Sequence, residues 1–128
     1  MRNISFSLTT PQFIAGTKDV TRRCGWKNLK AGEYLMAIEK GMGLKKGEKV
    51  KKLGLIEVVG VRRETLWEVN NELSACRREG FPDWKPSQFI KFFCRANKIR
   101  VADTVTRIEF RKVAARGIIA FIPTEVKS

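Results

Sequence analysis

One short segment collects residues that could do chemistry: GTKDVTRRCGW, from Gly16 to Trp26. Within six positions it holds Lys18, Thr21, Arg22 and Arg23. A threonine hydroxyl is a weak nucleophile at neutral pH and needs a base beside it. The chain contains no histidine, so a lysine whose pKa is lowered by burial is the natural base. The segment could form a catalytic site, a phosphate clamp or a solvated strand edge.

The spacing of Lys18 and Thr21 sets a condition on any site that they share. Residues three apart in a regular strand face opposite sides of the sheet, so these two can meet only if a turn or a bulge intervenes. In the alternative interpretation, Thr21 is an ordinary strand residue and Lys18 is a surface cation. Arg22 and Arg23 suit phosphate or a base edge through bidentate hydrogen bonds, or they guard an edge strand by charge.

The charge balance indicates a polyanionic partner. The chain has 26 Lys and Arg against 13 Asp and Glu, a net charge of +13. Such an excess favours nucleic acid and, less commonly, an anionic membrane surface. The segment KGMGLKKGEKVKK, residues 40–52, is predicted to be a flexible loop that follows an RNA backbone without reading its sequence, with a solvated hairpin as the alternative. Its contacting residues would be Lys45, Lys46, Lys49, Lys51 and Lys52.

An aromatic residue completes the predicted nucleic-acid interface. Trp84, in the loop GFPDWKP, is expected to be the most exposed tryptophan and to stack on a base, although a position in the core is the alternative. The full predicted interface consists of Lys18, Arg22, Arg23, the five lysines of residues 40–52 and Trp84.

Several classes of site are excluded or disfavoured. Without histidine there is no Ser-His-Asp or Cys-His catalysis and no histidine-ligated metal. Cys24, Cys76 and Cys94 form no CxxC pair, which argues against a zinc site or a disulfide framework and favours free thiols. No metal and no cofactor is predicted. With no apolar segment of roughly 20 residues and no signal-peptide core, the protein is expected to be cytoplasmic, without a membrane partner.

The element order predicts an α+β fold in a single domain, residues 1–128, in which residues 111–128 could be a C-terminal extension. Strands are expected over residues 4–8, 34–39, 53–66, 104–110 and 117–122, with a possible break near Gly60. Helices are expected from Thr10 and from Pro86, and over residues 68–79 with Val69, Leu73 and Cys76 on the apolar side. The mostly antiparallel sheet is predicted to curl into a small β-barrel with flanking helices.

The segment TPQFIAGTKDVTRRCGW resembles the opening of ASCH-domain proteins, whose characteristic string is G-x-K-x-x-T-x-R. Gly16, Lys18, Thr21 and Arg23 match that string in order. The resemblance continues through KAGEYLMAIEKGMGLKKGEKVKKLGLIEVVGV, EGFPDWKPSQFIKFFC and DTVTRIEF, to about Phe110. It implies a PUA-like β-barrel with helices against it.

The resemblance also implies functions. ASCH proteins are thought to bind or act on RNA and nucleosides, and some small bacterial members are amidohydrolases that deacetylate N4-acetylcytidine. In those members a lysine and a threonine of the opening string and a glutamate of a later helix form the site, which places the roles here on Lys18, Thr21 and Glu79. The first expectation is an RNA- or nucleotide-binding domain in RNA metabolism, with single-stranded nucleic acid as a possible partner. The amidohydrolase is the alternative, a ribonuclease comes third, and the oligomeric state is left open.

Overall fold

The computed structural model describes residues 1–114, so the strand expected over residues 117–122 lies outside the described residues. The described part is α+β, as predicted. Its strands are β1 (Asn3–Ser5), β2 (Val20–Arg23), β3 (Tyr34–Ile38), β4 (Lys52–Thr65) and β5 (Thr104–Lys112). Its helices are α1 (Thr10–Ala15), a 3-10 helix (Leu66–Asn71), α2 (Ala75–Glu79) and α3 (Pro86–Asn97). Among these residues no helix combines the length and the apolar character needed to cross a membrane.

The strands form one five-stranded sheet in the order β1-β3-β4-β5-β2. All neighbouring pairs are antiparallel except β1 and β3, which run parallel. The expected closed barrel is not shown, because β1 and β2 are the two edges of an open sheet in the described residues. Strand β1 has only three residues, and the chain turns at Phe6 towards α1. A side chain links the edges instead: Arg23 Nη2 donates a hydrogen bond to the Ser5 carbonyl over 2.6 Å.

Strand β4 is a single 14-residue strand, so Gly60 does not divide it. The register with β5 shifts between Val58 and Gly60, and Val59 between them is half-exposed. Such an irregularity bends a strand without ending it. The long strand therefore reaches from the β3 side of the sheet to the start of the 3-10 helix.

Two apolar clusters hold the elements together. One lies between the sheet and α1, where the Phe6 and Phe13 rings stack with their centroids 4.8 Å apart. The other lies under the helices and includes Phe89 and Phe93, two residues of the predicted apolar face of α3. Fully burying a phenylalanine side chain contributes about 1.5–3 kcal/mol. The candidate site lies where residues of both clusters meet, because Phe6, Phe89 and Phe93 all line its cavity.

The segment 68–79 is not the continuous helix that the sequence predicts. The 3-10 helix ends at Asn71, Ser74 takes a left-handed conformation with φ 64°, and α2 begins only at Ala75. Leu73, expected on the apolar side, is 92% exposed. At this break Glu72 accepts hydrogen bonds from three arginines, Arg22, Arg62 and Arg107.

Candidate functional site

The ends of two helices bring the predicted site residues together. Helix α1 stops at Gly16, which has φ 76° and caps the helix in the left-handed conformation. Lys18 therefore precedes β2 instead of lying in it, and the condition set by its spacing from Thr21 is met. Gly80 ends α2 in the same way, and a Cβ there would lie 3.0 Å from Gln12. A glycine at this position therefore lets the end of α2, and Glu79 with it, approach α1 and Lys18 closely.

One cavity of about 240 Å³ collects Lys18, Thr21, Arg23 and Glu79 on its wall. Its other lining is formed by residues 5–9, by Arg22, by residues 96 and 97 at the end of α3, and by aromatic side chains of α3 and the preceding turn. These aromatic residues are Phe81, Phe89, Phe92 and Phe93. A cavity lined by aromatic side chains and a few polar groups is typical of a small-molecule site.

Lys18 and Glu79 form a buried ion pair. The Lys18 Nζ donates to Glu79 Oε1 over 3.0 Å and to the Glu79 backbone carbonyl over 2.6 Å. The side chains are 3% and 4% exposed. Burial lowers the pKa of the Lys18 amine, and the Glu79 carboxylate opposes part of that effect. The carbonyl at the end of α2 has no partner within the helix, so Lys18 also satisfies that group.

Arg23 holds the hydroxyl of Thr21. Its Nε donates to Thr21 Oγ1 over 2.9 Å, and its guanidinium lies 5.1 Å from the centre of the Phe6 ring. Burial lowers the pKa of Arg23 to about 10, against the attraction of Glu79. Because the Thr21 oxygen accepts this hydrogen bond, its own proton remains free to pass to a base. A cationic donor at that oxygen also stabilises negative charge that develops there.

Arg22 is the centre of a carboxylate cluster that the sequence did not indicate. Its buried guanidinium donates to Glu79 Oε2 over 2.9 Å, to Glu64 over 3.1 Å and to Glu72 over 2.6 Å. The three acids lie 42 to 57 positions away in the chain, and no local spacing could link them to Arg22. The geometry fits an internal partner of acids, and direct contact of Arg22 with nucleic acid stays a prediction.

The lysines of residues 40–52 lie apart from the cavity wall. Lys45, Lys46, Lys49, Lys51 and Lys52 are all exposed, in the connection between β3 and β4 and at the start of β4. The base of the connection touches the wall, because Ser5 Oγ donates to the Glu39 carbonyl over 3.2 Å. The contact of these five lysines with nucleic acid stays a prediction.

Trp84 is not the most exposed tryptophan. It is half-buried, and its ring stacks on Phe81 at 4.1 Å and meets the edge of Phe92 at 5.3 Å. Trp67 is more exposed, at 49%. Trp84 therefore packs against the Phe81 and Phe92 wall of the cavity, and its stacking on a base stays a prediction.

The surroundings of the three cysteines do not activate them as nucleophiles. Cys24, Cys76 and Cys94 are free thiols, and burial raises the pKa of each. A raised pKa keeps a thiol protonated and unreactive at neutral pH. In residues 1–114 no group of three or more His, Cys, Asp or Glu side chains is arranged to hold a metal ion.

No family model matches this chain, and no curated protein does. Among solved structures, the chain is similar to the crystal structure of protein EF3133 from Enterococcus faecalis, described with family-model DUF984. The TM-score is 0.52 at 17% sequence identity, over 84% of this chain and 71% of that chain. A similarity at this level of identity shows the α+β fold and nothing about activity.

Proposed function

We propose that this chain is an ASCH-type protein of PUA-like fold whose cavity hydrolyses the exocyclic amide of N4-acetylcytidine-type nucleosides. One observation carries the proposal: the buried Lys18–Glu79 pair and the Thr21 hydroxyl line the same cavity. These are the three residues on which the resemblance places catalysis. They come from three different parts of the fold, and the geometry satisfies the condition set by their spacing.

The shape of the cavity supports a small planar substrate. Its volume of about 240 Å³ is below the range of about 300–1,000 Å³ common for drug-sized ligands. A single nucleobase with its acyl group suits that space better than a stretch of RNA. Phe81 and Phe92 offer aromatic faces or edges on which a pyrimidine can pack.

The proposed reaction assigns one role to each polar residue. Burial lowers the pKa of Lys18, so a fraction of the ion pairs gives up its proton to solvent and leaves Lys18 as a neutral amine. In these molecules Thr21 Oγ1 forms a bond to the acyl carbon, and its proton passes to that amine. Lys18 then delivers that proton to the departing exocyclic nitrogen of cytidine, which leaves as the C–N bond breaks. Water hydrolyses the acyl-threonine, releasing the carboxylic acid and restoring the hydroxyl. Glu79 stabilises the lysine each time it is protonated.

Turnover of N4-acetylcytidine by the purified protein tests this proposal. We expect conversion of the substrate to cytidine and acetate, with repeated turnovers per protein molecule. Chromatography of the reaction mixture measures the conversion. Unchanged substrate after incubation with an equimolar amount of folded protein would contradict the amidohydrolase. N4-acetylcytosine without its ribose, run in parallel, shows whether the cavity needs the sugar.

RNA or nucleotide binding is the second candidate, and the exposure of the five lysines of residues 40–52 favours it. Exposed lysines attract phosphate through counterion release and carry no sequence information. A nucleoside has no phosphate, so the amidohydrolase leaves this charge without a role. The two functions are compatible if the substrate base belongs to a single strand. No observation favours the ribonuclease, which stays a prediction.

Changing the five lysines to glutamine is expected to weaken binding of a single-stranded RNA oligonucleotide by at least about tenfold at low salt. The slope of log K against log salt should become shallower by roughly 0.7 for each phosphate that the loop no longer neutralises. Fluorescence anisotropy across a salt series measures both quantities. The matched control changes five other exposed cations to glutamine: Lys27, Lys30, Lys91, Arg95 and Lys98. Equal weakening in both variants would contradict a specific role for the loop.

A further inference from the structure

Behind the cavity, opposite charges alternate through the protein interior. Lys18 binds Glu79 Oε1, and Arg22 binds Glu79 Oε2 over 2.9 Å. Arg22 also binds Glu72 over 2.6 Å, and Glu72 accepts two hydrogen bonds from Arg107 over 2.7 and 3.0 Å. A continuous series of ion pairs therefore runs from Arg107 on β5 to the candidate base at the cavity.

Little water screens this series. The Arg22 side chain is fully buried, and the side chains of Glu79, Arg107 and Glu72 are 4%, 7% and 13% exposed. Charges in such surroundings interact more strongly than surface pairs do. Burial alone would lower the pKa of Arg22, but its carboxylate partners, Glu79 foremost, raise it. Arg22 is therefore a permanent cation beside Glu79.

Arg22 fixes Glu79 from the side that Lys18 leaves free. Each carboxylate oxygen of Glu79 faces a different cation, so the plane of the carboxylate is set by two contacts. Without Arg22, one oxygen of the carboxylate would lose its partner, and the carboxylate could rotate. The carboxylate would still lie beside the lysine but in no single orientation, and the proton transfers proposed above would lose their alignment.

We infer that Arg22 is a positioning residue of this site: it holds the Glu79 carboxylate aligned on Lys18, and Glu72 and Arg107 set how strongly it does so. The inference rests on the proposed function for its role in turnover. Arg22 lies one position before the arginine that matches the ASCH string, and the role comes from its contacts in this chain.

The pH dependence of the site is set by the charged and titratable groups that surround Glu79. Lys18 faces it from the segment before β2, Arg22 and Arg23 from β2, and Cys76 from its own helix. The positive charge of Arg22 is partly neutralised by Glu64 of β4 and by Glu72 from the turn before α2. Among these groups, only Arg22 joins Glu79 directly to other carboxylates.

Two substitutions should move the titration of Lys18 in opposite directions. Arg22→Gln removes a cation that repels the Lys18 ammonium, so the pKa of Lys18 should rise. Glu72→Gln leaves Arg22 less neutralised, so the pKa of Lys18 should fall further. The ascending, acid-side limb of the kcat–pH profile, along which Lys18 becomes a neutral amine, should move in the same direction as the pKa of Lys18 in each variant. A residue with a merely structural role would not produce opposite shifts.

The titration is measured in the protein without substrate, by NMR of 13Cε-labelled lysine, with Lys18→Met to assign the signal. Arg111→Gln is the matched control, because Arg111 lies on β5 like Arg107 and pairs with Glu57 at an exposed position. It should leave Lys18 unchanged. If Arg22→Gln does not fold, Arg107→Gln replaces it and should raise the pKa of Lys18 by a smaller amount.

The possible results separate this inference from the proposed function. Opposite shifts, with matching movement of the kcat–pH profile, support the inference. An unchanged Lys18 titration, or shifts in one direction only, in an active enzyme would overturn it and leave the amidohydrolase intact. If the two variants show opposite shifts but the wild-type protein has no turnover, the proposed function is overturned, and the role of Arg22 in catalysis with it. The electrostatic coupling between Arg22 and Lys18 would still stand.

Discussion

Thr21→Val is expected to lower turnover of N4-acetylcytidine by about 10³-fold or more, because it removes the proposed nucleophile at nearly constant side-chain shape. Thr21 is buried at the cavity wall, and its oxygen accepts a hydrogen bond from Arg23. Losing that acceptor leaves a buried donor unpaired and costs about 1–3 kcal/mol of stability. The effect on turnover is therefore much larger than the effect on folding. Initial rates by chromatography and thermal unfolding of the same sample measure the two.

Thr21→Ser provides the matched control for this substitution. It keeps the hydroxyl and loses only a methyl group, so turnover should stay within about tenfold of the wild type. The valine variant retaining wild-type turnover would show that another group attacks the amide. An equal decrease in the serine and valine variants would show that Thr21 acts through its shape and not through its oxygen.

The meeting of Lys18 and Thr21 follows from features that are visible in the sequence. Gly16 is the expected stop of a helix, and the structure places it at the end of α1. A stop at that position puts Lys18 in a connection and Thr21 in a strand, which is the turn that their spacing requires. Local rules for capping and for strand alternation are therefore enough to predict that these two side chains can converge.

The prediction of Glu79 as a site residue depended on the resemblance to ASCH proteins, because no local sequence pattern links Glu79 to Lys18. The two residues are 61 positions apart, and Glu79 lies in the last turn of its helix, where an anion is locally unfavourable. The structure supplies a reason for that placement: Lys18 and Arg22 are cations facing it from β2 and the segment before it. The unfavourable position of an anion at the end of a helix is offset by tertiary ion pairs, which cannot be predicted from the local sequence.

The carboxylates around Arg22 and the open edge of the sheet were beyond prediction for the same reason. The sequence predicts Glu72 to be one more polar residue of a continuous helix, whereas it lies at a break in that helix and binds Arg22, Arg62 and Arg107. Closure of the sheet depends on whether β1 is long enough to pair with β2. A three-residue strand cannot be told from a longer one by alternation alone.

The distribution of charge reconciles the two candidate functions. The cavity wall carries three cations, Lys18, Arg22 and Arg23, and one carboxylate, Glu79. Lys18 and Arg22 are paired with carboxylates inside the fold, so they are not free cations for a phosphate backbone. Much of the net charge of +13 lies on exposed lysines, where a phosphate backbone can reach it.

Glu79→Gln is expected to lower the free energy of unfolding by about 3–5 kcal/mol, because it leaves two buried cations, Lys18 and Arg22, without their shared carboxylate. Glu57→Gln is the matched control. Its partner Arg111 is 70% exposed, so the decrease should be about 1 kcal/mol or less. Urea unfolding followed by circular dichroism measures both variants.

Lys18→Met in the Glu79→Gln background separates the effect of the ion pair from the effect of packing. Removing the unpaired ammonium should restore part of the stability, so the effects of the two substitutions should be non-additive by at least about 1 kcal/mol. The double variant should nevertheless remain inactive, because methionine cannot accept the proton of Thr21. Additive effects would show that Lys18 and Glu79 do not interact as a pair in solution. Recovered turnover in the double variant would remove Lys18 from the reaction.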